Sequence, residues 1–205
     1  MAISLSKGQT INLDKKANDL TSITIGLGWT IKKKSFFSKI LNNDEFDLDA
    51  IAFLLDANGK MVNTGDSSLV GGDVVFFNNL HHHSGKVYHS GDNRVGGVGT
   101  QDDEQIVVML ESIPSQYQRI VFLVCIYQGI KKNQSFGEID NAYMRAVDNN
   151  GNEIARYNLA NDDSLRQART LIFGEVYRKD GGWKFRALGE GDPSDTFVDV
   201  LKRHM

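Results

Sequence analysis

Proline is scarce in this chain: two in 205 residues, Pro114 and Pro193. No proline-rich linker therefore marks a domain boundary. Cysteine is scarcer still. Cys125 has no second thiol to pair with, which excludes an internal disulfide. Its setting in VFLVCIY is that of a small buried hydrophobe rather than a reactive thiol. No run approaches the roughly 18 consecutive apolar residues that a membrane-spanning helix needs. The opening MAISLSKGQTINL lacks the apolar core of an export signal, so a cytoplasmic protein is expected. An excess of positive charge is missing too. The 23 Lys and Arg stand against 26 Asp and Glu, a net charge of −3, so the chain as a whole is not drawn to nucleic acid. Also absent are a phosphate-binding loop and any serine, cysteine or histidine in a recognisable nucleophile setting. Gly26-Leu27-Gly28 is too short for a dinucleotide fingerprint. An enzyme reading would rest on paired carboxylates alone.

What is present is a β pattern. Asn58-Gly59, Asn150-Gly151 and Asp180-Gly181 each stand between alternating or β-rich runs, and these dipeptides tolerate the positive φ of tight hairpin turns. Further strands are expected at Ser22–Leu27, Asp73–Phe77, Gln105–Leu110 and Arg119–Tyr127. The last is apolar on both faces, as a central strand of a sandwich would be. Asp162, Asp163 and Ser164 could cap a helix over Leu165–Leu171. The expected fold is all-β: a sandwich of two mainly antiparallel sheets with one or two short peripheral helices. Residues 1–188 form the domain, and residues 189–205 a tail that docks as a short helix. The spacing from Phe46 to Ala52-Phe53 repeats from Phe136 to Ala142-Tyr143. Two related half-sandwiches would give that echo, and so would the common grammar of hairpins.

Chemistry concentrates in Gly91–Glu104, GDNRVGGVGTQDDE. Asp92, Asn93, Asp102, Asp103 and Glu104 flank a glycine-rich span whose one positive charge is Arg94. Four carboxylates on one short loop either spread into water or share a cation. Calcium takes six to eight oxygen ligands in flexible geometry, and glycines let backbone carbonyls turn inward. Asp47 and Asp49 stand at i and i+2, which puts both on one face of a strand about 7 Å apart. They suit one large cation, or simply a charged strand edge. Ile51 and Ala52 occupy the positions where an EF-hand loop needs an oxygen donor and a glycine, so any calcium site joins separate segments.

His81, His82 and His83 suggest a transition metal, but neighbouring residues on a strand face opposite ways and no cysteine completes a zinc set. An exposed turn is expected there. Neither these residues nor His89 are taken as ligands. Lys32–Leu41, KKKSFFSKIL, mixes four lysines with apolar residues. It reads as a loop insertion, or as a contact for an anionic membrane or a partner groove.

Longer motifs carry a resemblance. SLSKGQTINL, IGLGW at Ile25–Trp29, FDLDAIAFLLDANGK, GGDVVFFNNL, HSGDNRVGG followed by DDEQIVV, IVFLVCIYQG, FGEIDNAYMRAVD and IARYNL resemble, in that order, the TerD family of tellurite-resistance and general stress proteins. They cover nearly the whole chain, and the KKKSFF insertion and the WKFRALG and FVDVLKR tail look most like its TerX branch. The resemblance implies a bacterial cytoplasmic, calcium-binding β-sandwich without catalysis. It implies protein partners in a tellurite-resistance complex; a peripheral contact at the inner membrane would rest on Lys32–Leu41, and the net charge of −3 speaks against nucleic acid. Carried over residue by residue, it makes Asp47, Asp49, Asn78, Asp92, Asn93, Asp102, Asp103 and Glu104 calcium ligands, with a carbonyl near Gly96. Val95, Gly97 and Gly99 stand where the family has polar or acidic residues, and the loop is longer; fewer carboxylates imply weaker binding. Two alternatives use the same surface features: a metal-dependent hydrolase built on the carboxylates, and a membrane-surface adaptor acting through Lys32–Leu41.

Overall fold

The computed structural model describes residues 3–4, 10–12, 21–31, 46–91, 102–159 and 163–205. Twelve strands and one α-helix lie among them: β1 (Ile3–Ser4), β2 (Thr10–Asn12), β3 (Ile23–Ile31), β4 (Leu48–Leu55), β5 (Val74–Val75), β6 (Val87–His89), β7 (Glu104–Val108), β8 (Arg119–Ile126), β9 (Ile139–Asp148), β10 (Glu153–Asn158), β11 (Thr170–Lys179), β12 (Gly182–Asp192) and α1 (Phe197–Leu201). They form two six-stranded sheets, ordered β1-β10-β9-β3-β7-β6 and β2-β12-β11-β8-β4-β5. Every pairing is antiparallel except β1 with β10. This is the expected sandwich.

Alternation decides which faces meet. In β8, Ile120, Phe122, Val124 and Ile126 enter the core between the sheets, while Val121, Leu123 and Cys125 join a second apolar cluster. β4 divides the same way: Leu48, Ala50, Ala52 and Leu54 on one side, Ile51, Phe53 and Leu55 on the other. The strands that read as apolar throughout are buried on both faces, and a third layer covers the second face. That layer is the C-terminal segment: Phe197, Val200 and Leu201 pack on Phe53, Phe76 and their neighbours. Thr196 caps α1 by accepting from the Val198 N–H. β12 continues past residue 188 to Asp192, so the sheet extends into the stretch read as tail. Leu201 is fully buried. Leu201→Ala is therefore expected to cost about 2–3 kcal/mol, the low end of the range for a truncated core leucine, because the outer layer can relax around it. Urea denaturation checks this, and an unchanged midpoint would show that the sheet does not depend on its third layer.

The Asp180-Gly181 turn has both residues at positive φ (53° and 77°) between the paired Lys179 and Gly182, the two-residue hairpin its sequence predicts. Asn150-Gly151 also closes a hairpin, with Gly151 at φ 80° and Asp148 Oδ1 accepting from the N–H groups of Asn150 and Asn152. Asn58-Gly59 makes the same turn: Asp56 Oδ1 accepts from Asn58 and Lys60. No returning strand follows, because Met61 N–H donates to the His204 carbonyl and the neighbour of β4 is β5. The helix expected over Leu165–Leu171 does not form. A short helical turn spans Asp163–Leu165, and β11 begins at Thr170. Thr170, Leu171, Ile172 and Phe173 are β-formers buried between β8 and β12, and burial in a sheet outweighs a favourable cap. No helix among the described residues is long and apolar enough to cross a membrane.

Candidate functional site

Several acidic residues meet at one end of the sandwich. Asp47 precedes β4, and its carbonyl accepts from the Tyr127 N–H just beyond β8 (2.9 Å). Asp49 lies in β4 opposite Cys125, and by alternation it faces the side of Ile51 and Phe53. β5 runs antiparallel to β4 with Ala52 opposite Val75, so the turn after β5 carries the exposed Asn78 toward the same end. β6 and β7 lead into and out of the loop between residues 91 and 102. Its feet are joined by Ser90 N–H to Gln105 O (2.8 Å) and Gln105 N–H to Ser90 Oγ (2.9 Å). Asp103 is tied to β3: its N–H donates to the Leu27 carbonyl, and its Oδ2 accepts from the Trp29 N–H (3.0 Å). Glu104 points inward and crosses between the sheets. Its Oε2 accepts the Ala50 N–H (2.8 Å), filling a position on the β4 edge that β5 is too short to reach. His89 Nε2 lies 3.3 Å from the same oxygen, and His89 Nδ1 accepts from the Gly91 N–H.

Asp102 turns the other way, onto the outer face of the first sheet. Arg145 grips it with two parallel bonds, Nε to Oδ1 (2.8 Å) and a terminal nitrogen to Oδ2 (3.0 Å). Tyr143 and Gln105 donate to it as well. This is why residue 26 is glycine: a Cβ there would stand 2.2 Å from the Asp102 carboxylate, and one at Gly28 would stand 2.6 Å from the Tyr143 ring. The hydrogen bond from Arg145 to Asp102 holds the guanidinium above its ordinary pKa. Burial, and then the Asp102 charge, push the Tyr143 phenol up.

As donors, Asp47, Asp49, Asn78, Asp103 and Glu104 are hard oxygens, the set a calcium ion takes. Among the described residues the carboxylates of Asp47, Asp49, Asp103 and Glu104 do not bring three ligand atoms within 4.8 Å of one another. Asp92, Asn93 and Gly96 of the glycine-rich loop lie outside the described residues, as do Val95, Gly97, Gly99 and the Lys32–Leu41 segment.

The histidine run forms the expected turn with His81 and His83 exposed, but its middle residue turns inward. His82 is buried, with Nε2 3.1 Å from Asp73 Oδ1 and Nδ1 2.7 Å from Ser84 Oγ. It starts a turn closed by the Gly85 N–H to its carbonyl, with Gly85 at φ 67°. His83 consequently folds back against it, ring centroids 4.1 Å apart, instead of facing the opposite way. Asp73 also accepts from the Tyr117 hydroxyl (2.7 Å) and from the N–H groups of Val62 and Asn63. Burial pushes the Asp73 carboxyl up, but these hydrogen bonds outweigh it and hold the group below its ordinary value. Among the described residues, Asp73, His82 and His83 are the one cluster of metal-ligating side chains with three ligand atoms within 4.8 Å.

The TerD domain model matches residues 1–203. The chain belongs to the TerD family. It is 47% identical to the tellurium resistance protein TerX of Serratia marcescens, over the full length of both. It is 43% identical to that organism's TerD over 93% of this chain and 91% of TerD. General stress protein 16U of Bacillus subtilis is 40% identical over 93% of this chain and 91% of its own length. The crystal structure of a TerD homologue from Streptomyces coelicolor shares the fold, with a TM-score of 0.68 at 19% identity over 90% of this chain and 97% of that one. The TerD motifs GLGW, FDLDA and DDE, far apart in sequence, thus occupy β3, β4 and the start of β7, which meet at the acidic end. Asp73 is the residue of this TerD domain that sequence reading passed over. Its one signal is a charged residue opening the apolar run of GGDVVFF, where a carboxylate needs a partner to be buried.

Proposed function

We propose that the chain is a non-enzymatic, calcium-binding TerD protein of the tellurite-resistance and stress-response type, working in the cytoplasm as a structural or sensing module with protein partners. The observation that carries this is the meeting of hard-oxygen donors at one end of the sandwich. Asp47 and Asp49 lie at the start of β4, Asn78 follows β5 and Asp103 precedes β7, all toward the end where the glycine-rich loop leaves and rejoins its sheet. The loop would add Asp92, Asn93 and a carbonyl near Gly96. Asp102 and Glu104 serve the reading in a second way as well. Asp102 is gripped by Arg145, and Glu104 Oε2 accepts from the Ala50 N–H with His89 Nε2 3.3 Å away, so both also anchor the foot of the loop. Bound calcium would neutralise the loop and fix it against β4, giving an ordered surface for a partner.

Calcium titration into chelator-treated protein tests this. A ligand present at 100 times its Kd stabilises the native state by about 2.7 kcal/mol, which for a chain of this size raises the melting temperature by roughly 5–10 °C. Asp49→Asn and Asp92→Ala should each shrink the rise. The absence of both binding heat and thermal shift in the unaltered protein would sink the proposal.

A further inference from the structure

We propose that Asp73, His82 and His83 form a second metal site, selective for a borderline transition-metal dication such as zinc and independent of the acidic end. The donors come from two places in the chain. Asp73 stands at the start of β5, and its carbonyl accepts from the Leu54 N–H. His82 and His83 stand at the turn that leads to β6. Leu54 is five residues from Asp49 along β4, roughly 16 Å at about 3.3 Å per residue. One ion cannot serve both ends.

The donor chemistry sets the choice of metal. Two imidazoles and one carboxylate suit zinc, whereas calcium takes an all-oxygen shell. The spacing suits it as well. His82 Nε2 and Asp73 Oδ1 are 3.1 Å apart. Two ligands at about 2.1 Å from one ion, subtending roughly 95°, have that separation. Without metal, the proton on His82 Nε2 bridges that gap. Metal binding through Nε2 moves the proton to Nδ1, where Ser84 Oγ at 2.7 Å accepts it. The Ser84 N–H, now directed at Nδ1, would turn to water at that half-buried position. Ser84 thus does what a hydrogen-bond partner of a ligating histidine does, fixing its tautomer and orientation.

A buried network of Asp73, His82 and Tyr117 needs no metal to explain it. His83 is what that network leaves over. It is exposed, yet its ring folds back onto His82 and its Nε2 lies 3.4 Å from the Tyr117 hydroxyl, which itself donates to Asp73. A third donor thus stands within reach of the point where the other two meet. Three protein ligands leave the fourth position of a tetrahedral ion to water.

The test is zinc titration by competition with a chromogenic chelator, in excess calcium so that the acidic end is saturated or silent. One zinc per chain is expected, with cobalt giving the intense visible bands of a four-coordinate ion. Because His83 is exposed, His83→Ala should leave the metal-free melting temperature unchanged and weaken zinc at least tenfold. His81→Ala should leave zinc affinity unchanged, since His81 lies outside the cluster. Equal affinity in the unaltered protein and His83→Ala, equal losses in His83→Ala and His81→Ala, or no binding at all would each overturn the site. None of these outcomes bears on calcium, which the excess-calcium arm and the calcium titration read separately.

Discussion

Asp73→Ala is expected to destabilise the protein by about 3–5 kcal/mol, the range for removing one partner from a buried, hydrogen-bonded charge network. The carboxylate is fully buried, and it is the shared acceptor for His82, the Tyr117 hydroxyl and the N–H groups of Val62 and Asn63. Each donor left unpaired costs desolvation energy with nothing in return. The Asp73 N–H also donates to the Asn63 carbonyl, so this residue ties down the stretch after the Asn58-Gly59 turn through both backbone and side chain. Asp73→Asn keeps the shape but presents an NH2 group to donors on one side, so it should remain well below the unaltered protein. Urea denaturation at neutral pH measures both, and a loss under about 1 kcal/mol for Asp73→Ala would refute the network's importance. A pH dependence follows with a definite sign. The folded-state pKa of Asp73 lies below the ordinary aspartate value. Its contribution is therefore present above that value and is lost as pH falls through the lower folded value. The unaltered protein should lose stability steeply in that acid range, and Asp73→Ala should lose less.

The parts of this molecule that could be read from sequence are those with a local cause. Asp180-Gly181 has the positive φ that its residues favour, and β8 is apolar on both faces because both faces are covered. Asp56 and Asp148 build the same turn from D-x-N-G, a chemical counterpart to the faint internal echo in the sequence. Failure begins where a distant partner decides. After Asn58-Gly59 the chain meets His204, 143 residues on from Met61, and the hairpin never closes. At Leu165–Leu171 a plausible cap loses to pairing with β8 and β12. The acidic end could be read as a collection of carboxylates, yet their division of labour could not. Asp102, Asp103 and Glu104 are consecutive in sequence, and each turns to a different element: β9, β3 and β4. Alternation along a strand foretells that neighbours diverge, but not what each one meets. The histidines erred in the opposite direction, since a turn at Gly85 brings together rings that strand alternation would separate.

Arg145→Ala is expected to cost about 2–4 kcal/mol, because it abandons a buried carboxylate. The Asp102 side chain is 1% exposed and keeps only the Tyr143 and Gln105 donors once the guanidinium is gone. Arg145→Lys restores the charge without the two-pronged geometry and should recover only part of the loss. If the cost comes from stranding the charge, removing it should help: Asp102→Ala with Arg145→Ala should be more stable than Arg145→Ala alone. A double variant that is worse, or merely the sum of the two single losses, would place the energy in packing over Gly26 and Tyr143 instead. The same ion pair has a second consequence under the proposed function. Asp102 is where the chain re-enters the sheet after the glycine-rich loop, and Asp103 follows directly. Loosening Asp102 frees the foot that presents Asp103, so ordering that foot becomes part of the work of binding. Arg145→Ala, still folded below its own melting temperature, should then bind calcium several-fold more weakly although Arg145 cannot itself be a ligand. Unchanged calcium affinity in a folded Arg145→Ala protein would mean that the loop holds its ion without its anchor, and that the Asp102 pair serves the sheet alone.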